Sequence, residues 1–397
     1  MSIISKMVIA VRKPVIMVVA KPTPVTFIGA GKVKEVAGLL VNASRKKVLV
    51  ITDSFLHGAG LLDTMLAGIK EAGLETVIYD GVKPDPTFGI VAEAQGFAAG
   101  CDCVVAVGGG SVIDTAKSVA ASVANDKPAD RLAGLLKVKK HPLMLIAVPT
   151  TAGTGSETTV AAVISDTITH AKKQILDPKI VPIAAVLDPE LTVGLPPHTT
   201  AFTAMDALTH SLEAYVATYA TGETDLYAEM SVKMIYENLP IVHKEPTNLA
   251  AREALLVASF LGGMAFTRTY VGYVHAFAHT IGGKFGVPHG LGNAVLLPHI
   301  MEYYLPVSQQ RFAHLAELTG ISHAESEEQR ARDFVQSIFD LNDACGVPRR
   351  LEKFPVEAID SVIEVAFKEC HGVYPVPRYY NKAEARALLQ KVCSAPA

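Results

Sequence analysis

The amino-acid sequence predicts two domains, an α/β domain with a mostly parallel sheet followed by a nearly all-α domain. The chain has 397 residues, which exceeds one ordinary domain and is enough for two domains that each bury a core. Before Leu195, short segments rich in β-branched residues alternate with segments of helical spacing, whereas only helical spacing follows Leu195. We therefore place the domain boundary there, between residues 1–195 and residues 196–397.

The alternating segments of the first domain predict the strands and helices of a Rossmann-like α/β fold. Strands that alternate with helices along the chain form a mostly parallel sheet with helices on both faces. Residues 7–20 are also apolar, but charges and a proline interrupt them, so we expect a β-rich extension rather than a signal peptide. The predicted elements are strands at 48–52, 76–79, 103–107 and 144–148, and helices at 61–72, 88–99 and 112–121.

The second domain begins at residues 196–200, where prolines and threonines predict a helix start with a threonine cap. Its most apolar segment, residues 254–266, is shorter than the ~18 residues of a membrane span, so we expect a buried core helix and no membrane association. The predicted helices are 201–219, 225–239, 252–266, 326–344 and 356–367.

The composition argues against several classes of protein. A formal net charge of −3, without a run of basic residues, argues against a nucleic-acid-binding protein. The five cysteines are an odd number and lack the spacing of a thiolate metal site, so we expect reduced thiols and a cytoplasmic protein. The thirteen histidines are therefore the candidates for a metal site.

A glycine loop follows the predicted strand at 103–107. Gly108, Gly109, Gly110 and Ser111 lead directly into a helix, and this arrangement favours an anion because backbone N–H groups and the helix dipole face it. The loop lacks the usual G-x-G-x-x-G pattern of dinucleotide-binding folds. It predicts either a phosphate site of a variant kind or a tight turn.

Two further segments follow strands of the first domain. Asp53 ends the strand at 48–52, where its carboxylate is suited to accept from a ribose hydroxyl and repel a 2′-phosphate, or to cap the next helix. Residues 149–157 are rich in hydroxyl groups and glycine, which suits a pyrophosphate or a nicotinamide ribose, although a plain connector has the same composition.

The second domain carries acidic and imidazole side chains at one-turn spacing. Glu213 lies one turn beyond His210, on the same predicted helical face as Asp206 and His210. Gly282-Gly283 and Pro288 predict a break in the helix that lets the chain fold back. An oxygen and several imidazoles without a thiolate suit Zn²⁺ or Fe²⁺ in a catalytic site with an open position. Spacing alone leaves open which histidine is not a ligand. The candidates are Asp206, His210, His275, His279 and His289.

Together, and in this order, the motifs resemble the iron-containing alcohol dehydrogenases over nearly the whole chain. The resemblance implies a dehydroquinate synthase-like fold with the active site in a cleft between the two domains. The motifs that carry it are Gly108-Gly109-Gly110-Ser111-x-x-Asp114-x-x-Lys117, residues 149–157, Asp177-Pro178, Asp188-Pro189-x-Leu191-Thr192, Asp206-Ala207-Leu208-Thr209-His210-x-x-Glu213, His275-x-x-x-His279 and His289-Gly290-x-x-Asn293-Ala294-x-x-Leu297-Pro298-His299.

The resemblance also implies roles for individual residues. The positions of Asp206, His210, His275 and His289 match the metal ligands, with Fe²⁺ as the first expectation and Zn²⁺ as the second. His279 matches a position beside the nicotinamide and is a candidate proton carrier. Asp53 matches the acid associated with NAD rather than NADP. The positions that match cofactor contacts are Asp53, Gly109, Gly110, Ser111, Asp114, Thr150, Thr151, Thr154, Lys172 and His279.

The implied activity is hydride transfer between a primary alcohol or an aldehyde and NAD(H), with a divalent metal activating the substrate oxygen. A glycerol-, diol- or hydroxyacid-type dehydrogenase of the same superfamily is an alternative. A dehydroquinate synthase-like lyase is disfavoured, because those enzymes coordinate metal through a glutamate and two histidines. A non-catalytic metal-binding protein would have no need of the glycine loop. The resemblance further suggests a homodimer or a higher homo-oligomer.

Some positions depart from the family pattern. Thr280 stands where proline usually follows the histidine, and Arg268 stands where asparagine is common. Val376-Pro377-Arg378 replaces Asn-Pro-Arg near the C-terminus. None of these is a predicted ligand, but Arg268 and Tyr273 are candidates for shaping the substrate pocket.

Overall fold

A computed structural model describes residues 22–167 and 172–394 of the chain. These residues form two compact units, and the chain passes from one to the other between Leu195 and Pro196. The extension expected at residues 7–20 lies outside the described residues.

The described part of the first unit contains two β-sheets. Its strands are β1 (Val25–Ile28), β2 (Lys47–Ile51), β3 (Glu75–Tyr79), β4 (Cys103–Gly108), β5 (Gly134–Leu135), β6 (Met144–Pro149), β7 (Ala161–Ser165), β8 (Lys172–Leu176) and β9 (Ala184–Leu187). The larger sheet has the order β1-β9-β6-β4-β2-β3, and all of its neighbouring strands are parallel. The smaller sheet has the order β5-β8-β7, with β7 and β8 antiparallel.

Apolar side chains cover both faces of the larger sheet. Successive residues of a strand point to opposite faces, so Leu49 and Ile51 belong to one apolar cluster while Val48 and Val50 belong to another. Every residue of the central strand β4 is buried, as expected of a parallel sheet with helices on both sides. The helices of this unit are α1 (Glu35–Asn42), α2 (Ser54–Gly58), α3 (Asp63–Glu71), α4 (Phe88–Gly96), α5 (Gly110–Asn125) and α6 (Ala129–Leu132).

The parallel arrangement places the carboxyl ends of the strands at one edge of the larger sheet. Asp53 follows β2, Gly109 follows β4 and Thr150 follows β6, so three predicted cofactor positions lie at this edge. Ligands of open parallel sheets bind at this edge.

All the regular secondary structure in the described residues of the second unit is helical. Its α-helices are α7 (Pro197–Val216), α8 (Gly222–Lys244), α9 (Leu249–Thr269), α10 (Tyr273–Phe285), α11 (His289–Leu318), α12 (Glu327–Ala344), α13 (Ile359–Cys370) and α14 (Lys382–Val392). The fold class predicted from the sequence, an α/β domain followed by a helical one, is therefore confirmed.

Two local predictions about the second unit are wrong. The pair Gly282-Gly283 lies inside α10, and the helix ends instead at Gly286, whose φ of 64° is in the left-handed region. A β-carbon on Gly282 would lie 3.1 Å from the carbonyl oxygen of Val287, so this glycine permits a close approach instead of ending the helix. The turn is made by residues 286–288. The expected threonine cap is also not formed at α7, because the helix begins at Pro197 and its N-cap residue is Pro196, which has no side-chain donor or acceptor.

One described helix, α9, passes the length and hydropathy test for a membrane span. It spans Leu249–Thr269 and so extends beyond the predicted segment at 252–266 at both ends. In its most apolar stretch of 18 residues, 56% is buried inside the structure, as in the core helix of a globular unit.

Candidate active site

Three helices of the second unit bring the four predicted metal ligands together. α7 carries Asp206 and His210 one turn apart, so both side chains lie on the same face of the helix. α10 carries His275 in its first turn, and α11 begins with His289. Asp206, His210 and His275 are buried, whereas the His289 side chain is 31% exposed, so the cluster is accessible beside His289.

Oδ1 of Asp206 lies at the centre of this cluster. Its distance is 3.6 Å to Nε2 of His275, 3.6 Å to Nε2 of His289 and 4.0 Å to Nδ1 of His210. The amide nitrogen of Asn293 contacts three of these atoms, at 2.6 Å from Asp206, 3.2 Å from His275 and 3.1 Å from His289. The three atoms therefore converge on one point.

The spacing and the chemistry of the cluster fit a divalent transition metal. Ligands held tetrahedrally at about 2.1 Å from a metal lie roughly 3.4 Å from one another. The ligand atoms of Asp206, His210 and His275 all lie within 4.8 Å of one another, and the group consists of carboxylate and imidazole only. Such donors suit both Fe²⁺ and Zn²⁺.

The electrostatics of the cluster keep its carboxylate ionised. Burial alone would raise the pKa of Asp206, but the imidazoles of His210, His289 and His275 lower it well below its ordinary value. Burial alone would lower the pKa of His275, but hydrogen bonds to Asp206 and Glu213 raise it to about 9. Without a metal, Asp206 is therefore a charged acceptor and His275 carries an extra proton. Binding of a metal ion to the cluster would release that proton from His275.

Glu213 contacts the His275 ring at Nδ1, the nitrogen opposite the one that faces Asp206. Its Oε2 lies 2.7 Å from Nδ1 of His275. Spacing in the sequence places Glu213 on the same helical face as Asp206 and His210 but does not indicate this contact.

His279 lies against the cluster but is held by a different carboxylate. Its ring stacks on that of His289, with centroids 5.2 Å apart. Its Nδ1 lies 2.7 Å from Oε1 of Glu369, which also accepts a hydrogen bond from the Tyr374 hydroxyl at 2.6 Å. Although burial opposes ionisation, the neighbouring His279 lowers the pKa of Glu369, so this carboxylate is the acceptor of the pair.

In the first unit, the glycine loop packs closely against the segment that follows β6. A β-carbon on Gly110 would lie 2.6 Å from Cγ2 of Thr154, and one on Gly109 would lie 3.2 Å from Oγ1 of Thr151. The N–H of Thr150 donates to the carbonyl of Gly108 at 3.2 Å. The structure thus brings together most of the predicted phosphate-binding positions at the start of α5, where the helix dipole favours an anion.

Asp53 and Lys172 both contact the segment that follows β3. Asp53 forms a β-bridge with Gly81, and its Oδ1 accepts a hydrogen bond from the N–H of Leu56 at 2.9 Å. Asp53 therefore caps α2, which is the second of the two roles that the sequence suggested for it. Only Oδ1 takes part in this cap. Lys172 forms an ion pair with Asp85.

Asp114 and Lys117 occupy internal positions along α5. The Asp114 oxygens accept hydrogen bonds from Ser156 Oγ at 2.5 Å and from the N–H of Val163 at 2.9 Å. Asp114 was predicted as a cofactor contact, and in the structure it fixes the loop at 149–157 to α5. Ser111 lies half-buried in the first turn of the same helix.

The two candidates for shaping a substrate pocket are both buried. Nη1 of Arg268 donates to the carbonyl of Met264 at 2.7 Å. The Tyr273 hydroxyl contacts Nε2 of His371 and accepts from the N–H of Tyr380. Tyr273 therefore braces the start of α10 against the C-terminal residues.

Two family models match consecutive parts of the chain. The model described as iron-containing alcohol dehydrogenase matches residues 22–189, and the C-terminal model of the Fe-containing alcohol dehydrogenase family matches residues 200–393. The chain belongs to the iron-containing alcohol dehydrogenase family. The resemblance found in the sequence is thereby confirmed.

Curated relatives of this family align over most of the chain. An NAD-dependent methanol dehydrogenase of Bacillus methanolicus is 38% identical over 355 residues, covering 87% of this chain and 92% of the relative. A 1,3-propanediol dehydrogenase of Klebsiella pneumoniae is 36% identical, with 92% of this chain and 96% of the relative covered.

Solved structures of the family share the fold. A 1,3-propanediol oxidoreductase superimposes with a TM-score of 0.90 at 35% identity, covering 93% of this chain and 98% of that one. An alcohol dehydrogenase from Oenococcus oeni superimposes with a TM-score of 0.89 at 33% identity and the same coverage.

The structure adds three residues that the sequence did not single out for the site. Asn293 was quoted only as part of a motif, although its position one turn after His289 on α11 was a usable signal. Glu369 and Tyr374 carry no such signal, because Glu369 is 90 residues from His279 in the chain.

Proposed function

We propose that this chain is an NAD(H)- and metal-dependent alcohol dehydrogenase that interconverts primary alcohols and aldehydes. The observation that supports it most strongly is the buried group formed by Asp206, His210 and His275, with His289 beside it, in a chain of this family. When bound, a metal in this group supplies a Lewis acid that polarises the oxygen of an alcohol or a carbonyl.

We propose Asp206, His210, His275 and His289 as the residues that would hold this metal. Fe²⁺ is our first choice, because the family is iron-containing, and Zn²⁺ is the alternative that the same donors accept. The chain's contribution is to keep Asp206 ionised and to bury Asp206, His210 and His275, which limits the access of water to the side of His289.

The proposed site for NAD is the edge of the larger sheet. Gly109, Gly110 and Ser111 would supply backbone N–H groups to the pyrophosphate at the start of α5. Asp53 would accept a hydrogen bond from a ribose hydroxyl and repel a 2′-phosphate, which favours NAD over NADP. The further positions proposed to contact the cofactor are Asp114, Thr150, Thr151, Thr154 and Lys172.

His279 is the proposed proton carrier. The bond from Nδ1 to Glu369 leaves Nε2 as the nitrogen that exchanges a proton with the substrate or with water. The carboxylate of Glu369 stabilises the charged imidazole that forms when His279 accepts a proton, so the pair acts as a base during alcohol oxidation and as an acid during aldehyde reduction.

The decisive experiment measures NADH oxidation with a series of aldehydes of increasing chain length. The protein is stripped with a chelator and reloaded with Fe²⁺ or Zn²⁺. We expect activity to return with metal and to be lost in His275→Ala, while His314→Ala, at an exposed position, retains it. Activity that survives chelation and the His275→Ala substitution would rule out the proposed function.

A diol dehydrogenase is the second candidate, because two relatives are named 1,3-propanediol dehydrogenases. Comparing 3-hydroxypropanal with propanal as substrates decides between the two, since a diol enzyme prefers the hydroxylated aldehyde. A dehydroquinate synthase-like lyase would show no net NADH oxidation in this assay.

We also propose that the protein is a cytoplasmic homodimer or higher homo-oligomer. All five cysteines are free and buried, which suits a reducing compartment. Sedimentation equilibrium of the purified protein, and fractionation of cells that express it, test the two statements.

A further inference from the structure

We infer that Glu213 is a positioning residue that fixes the imidazole of His275 in the tautomer protonated at Nδ1, so that Nε2 is presented to the metal. The inference rests on the metal site proposed above and adds a residue outside its ligand set. It explains why an acid, rather than any other helix-compatible residue, stands one turn beyond His210.

Both oxygens of the buried Glu213 carboxylate make hydrogen-bond contacts. Its side chain is 1% exposed. Oε1 accepts from the N–H of Val274 at 2.7 Å, and Oε2 accepts from the N–H of Gly272 at 2.7 Å. The third contact is that of Oε2 with Nδ1 of His275, also at 2.7 Å. Because both backbone N–H groups can only donate, the Glu213 oxygens act as acceptors, and Nδ1 of His275 is the nitrogen that donates a proton in this contact.

The opposite nitrogen of His275 belongs to the ligand cluster. Nε2 lies 3.6 Å from Oδ1 of Asp206 and 3.2 Å from the amide nitrogen of Asn293, which is a donor. The carboxylate of Asp206 would accept a proton from Nε2, whereas the Asn293 amide favours a lone pair there. Because metal binding requires the lone pair on Nε2, the contact of Glu213 with Nδ1 is the one that fixes the tautomer of the ring in the metal-bound protein.

Gly272 leaves the space that Glu213 occupies. A β-carbon at this position would lie 2.7 Å from Oε1 and 3.1 Å from Cδ of Glu213. Alanine at 272 would therefore displace the carboxylate without removing its charge. Gly272→Ala and Glu213→Gln perturb the same contact by independent routes.

A purely structural role for Glu213 is the competing explanation. Gly272 is the N-cap residue of α10, and Val274 lies in its first turn, so the carboxylate also caps this helix from α7. Loss of a cap alone would lower the thermal stability of the protein, but it would change neither the tautomer of His275 nor the affinity for metal measured well below the melting temperature.

The test compares the Zn²⁺ affinity of the full-length protein and its variants by competition with a chromogenic chelator. In Glu213→Gln, one oxygen becomes an N–H₂ group that cannot accept, so we expect Zn²⁺ to bind 10- to 100-fold more weakly. Gly272→Ala should change the affinity in the same direction. The matched control is Glu384→Gln, which removes another helix-capping carboxylate and should leave the affinity unchanged.

A second measurement uses the wild-type protein, so it does not depend on a variant that folds. In zinc-saturated protein with ¹⁵N-labelled histidines, long-range ring couplings report which nitrogen carries the proton. We expect His275, assigned by the loss of its signals in His275→Asn, to carry the proton on Nδ1. A proton on Nε2, or equal Zn²⁺ affinity for the wild type, Glu213→Gln and Gly272→Ala, would overturn the inference.

Different results would refute the proposed function and the positioning role of Glu213. Wild-type protein that binds neither Zn²⁺ nor Fe²⁺ would refute the proposed function and, with it, the role of Glu213. Wild-type protein that binds metal and reduces aldehydes, but keeps its affinity after substitution of Glu213 or Gly272, would refute only the positioning role.

Discussion

Replacing Lys117 with methionine is expected to lower the free energy of unfolding of the first unit by about 3–5 kcal/mol, because three hydrogen bonds from a buried ammonium group are lost. The Lys117 side chain is fully buried on α5. Its ammonium group donates to the carbonyl of Thr159 at 2.9 Å, to the Thr159 hydroxyl at 2.8 Å and to the carbonyl of Ala161 at 2.8 Å.

The expected loss in the free energy of unfolding combines opposing contributions. Hydrogen bonds that involve a charged group each contribute about 1.5–3 kcal/mol, so three of them contribute about 4.5–9 kcal/mol, and the expected change lies near or below the lower end of that range. Burial of the charge offsets part of this, because it lowers the pKa of Lys117 to about 8 even though Asp114 and Glu157 oppose that shift. Methionine fills a similar volume, so the loss reflects the missing ammonium donor rather than a cavity. The carbonyl of Ala161 keeps the Thr159 hydroxyl as a donor, at 3.1 Å.

Thermal unfolding followed by circular dichroism measures the effect. For a unit of this size, 1 kcal/mol corresponds to roughly 2–4 °C, so the apparent melting temperature should fall by about 6–20 °C. The control is Lys173→Met, at an exposed position in β8, which should change little. A decrease of less than about 2 °C for Lys117→Met would show that the three contacts do not stabilise the unit as stated.

Three further predictions concern the first unit. Gly110→Ala would place its β-carbon 2.6 Å from Thr154, and the overpacking should weaken NADH binding about 10-fold, whereas Gly38→Ala meets nothing within 4 Å and should bind normally. Asp53→Asn keeps a helix-capping oxygen but removes the charge, so the ratio of kcat/KM for NADPH to that for NADH should rise; an unchanged ratio would restrict Asp53 to its cap. Burial raises the pKa of Glu157 to about 7 from 4.5, so the folded state binds more protons between those values. The stability of Glu157→Gln relative to the wild type should therefore increase as pH rises from about 5 to 7, and a flat difference in urea unfolding would contradict this.

The parts of the fold that the sequence predicted are those with a strong local pattern. β2, β4 and β6 are continuous β-branched or apolar segments, and their predicted bounds agree with the structure within one residue. β9 was missed because its alanines carry little strand preference, and its place between β1 and β6 is set by pairing across distant parts of the chain.

The candidate metal cluster was predictable because helical spacing encodes most of it. Asp206 and His210 face the same way by periodicity alone, and so do His275 and His279. Spacing did not distinguish His279 from the other imidazoles. Its separate hydrogen bond to Glu369 depends on how α13 packs on α10, which no periodicity reports. Burial of Lys117 was equally unpredictable, because its acceptors lie more than forty residues away in the chain.

The candidate ligand cluster joins three helices whose contributions span residues 206 to 289, so binding of the proposed metal would make its concentration a variable of folding as well as of catalysis. An ion that binds only the native arrangement adds about 2.7 kcal/mol to stability when its free concentration is 100 times its dissociation constant. In a cell short of metal, the helical unit would open more often and expose its apolar α9 to proteases. The amount of folded enzyme would then follow the metal supply, even at a constant rate of synthesis.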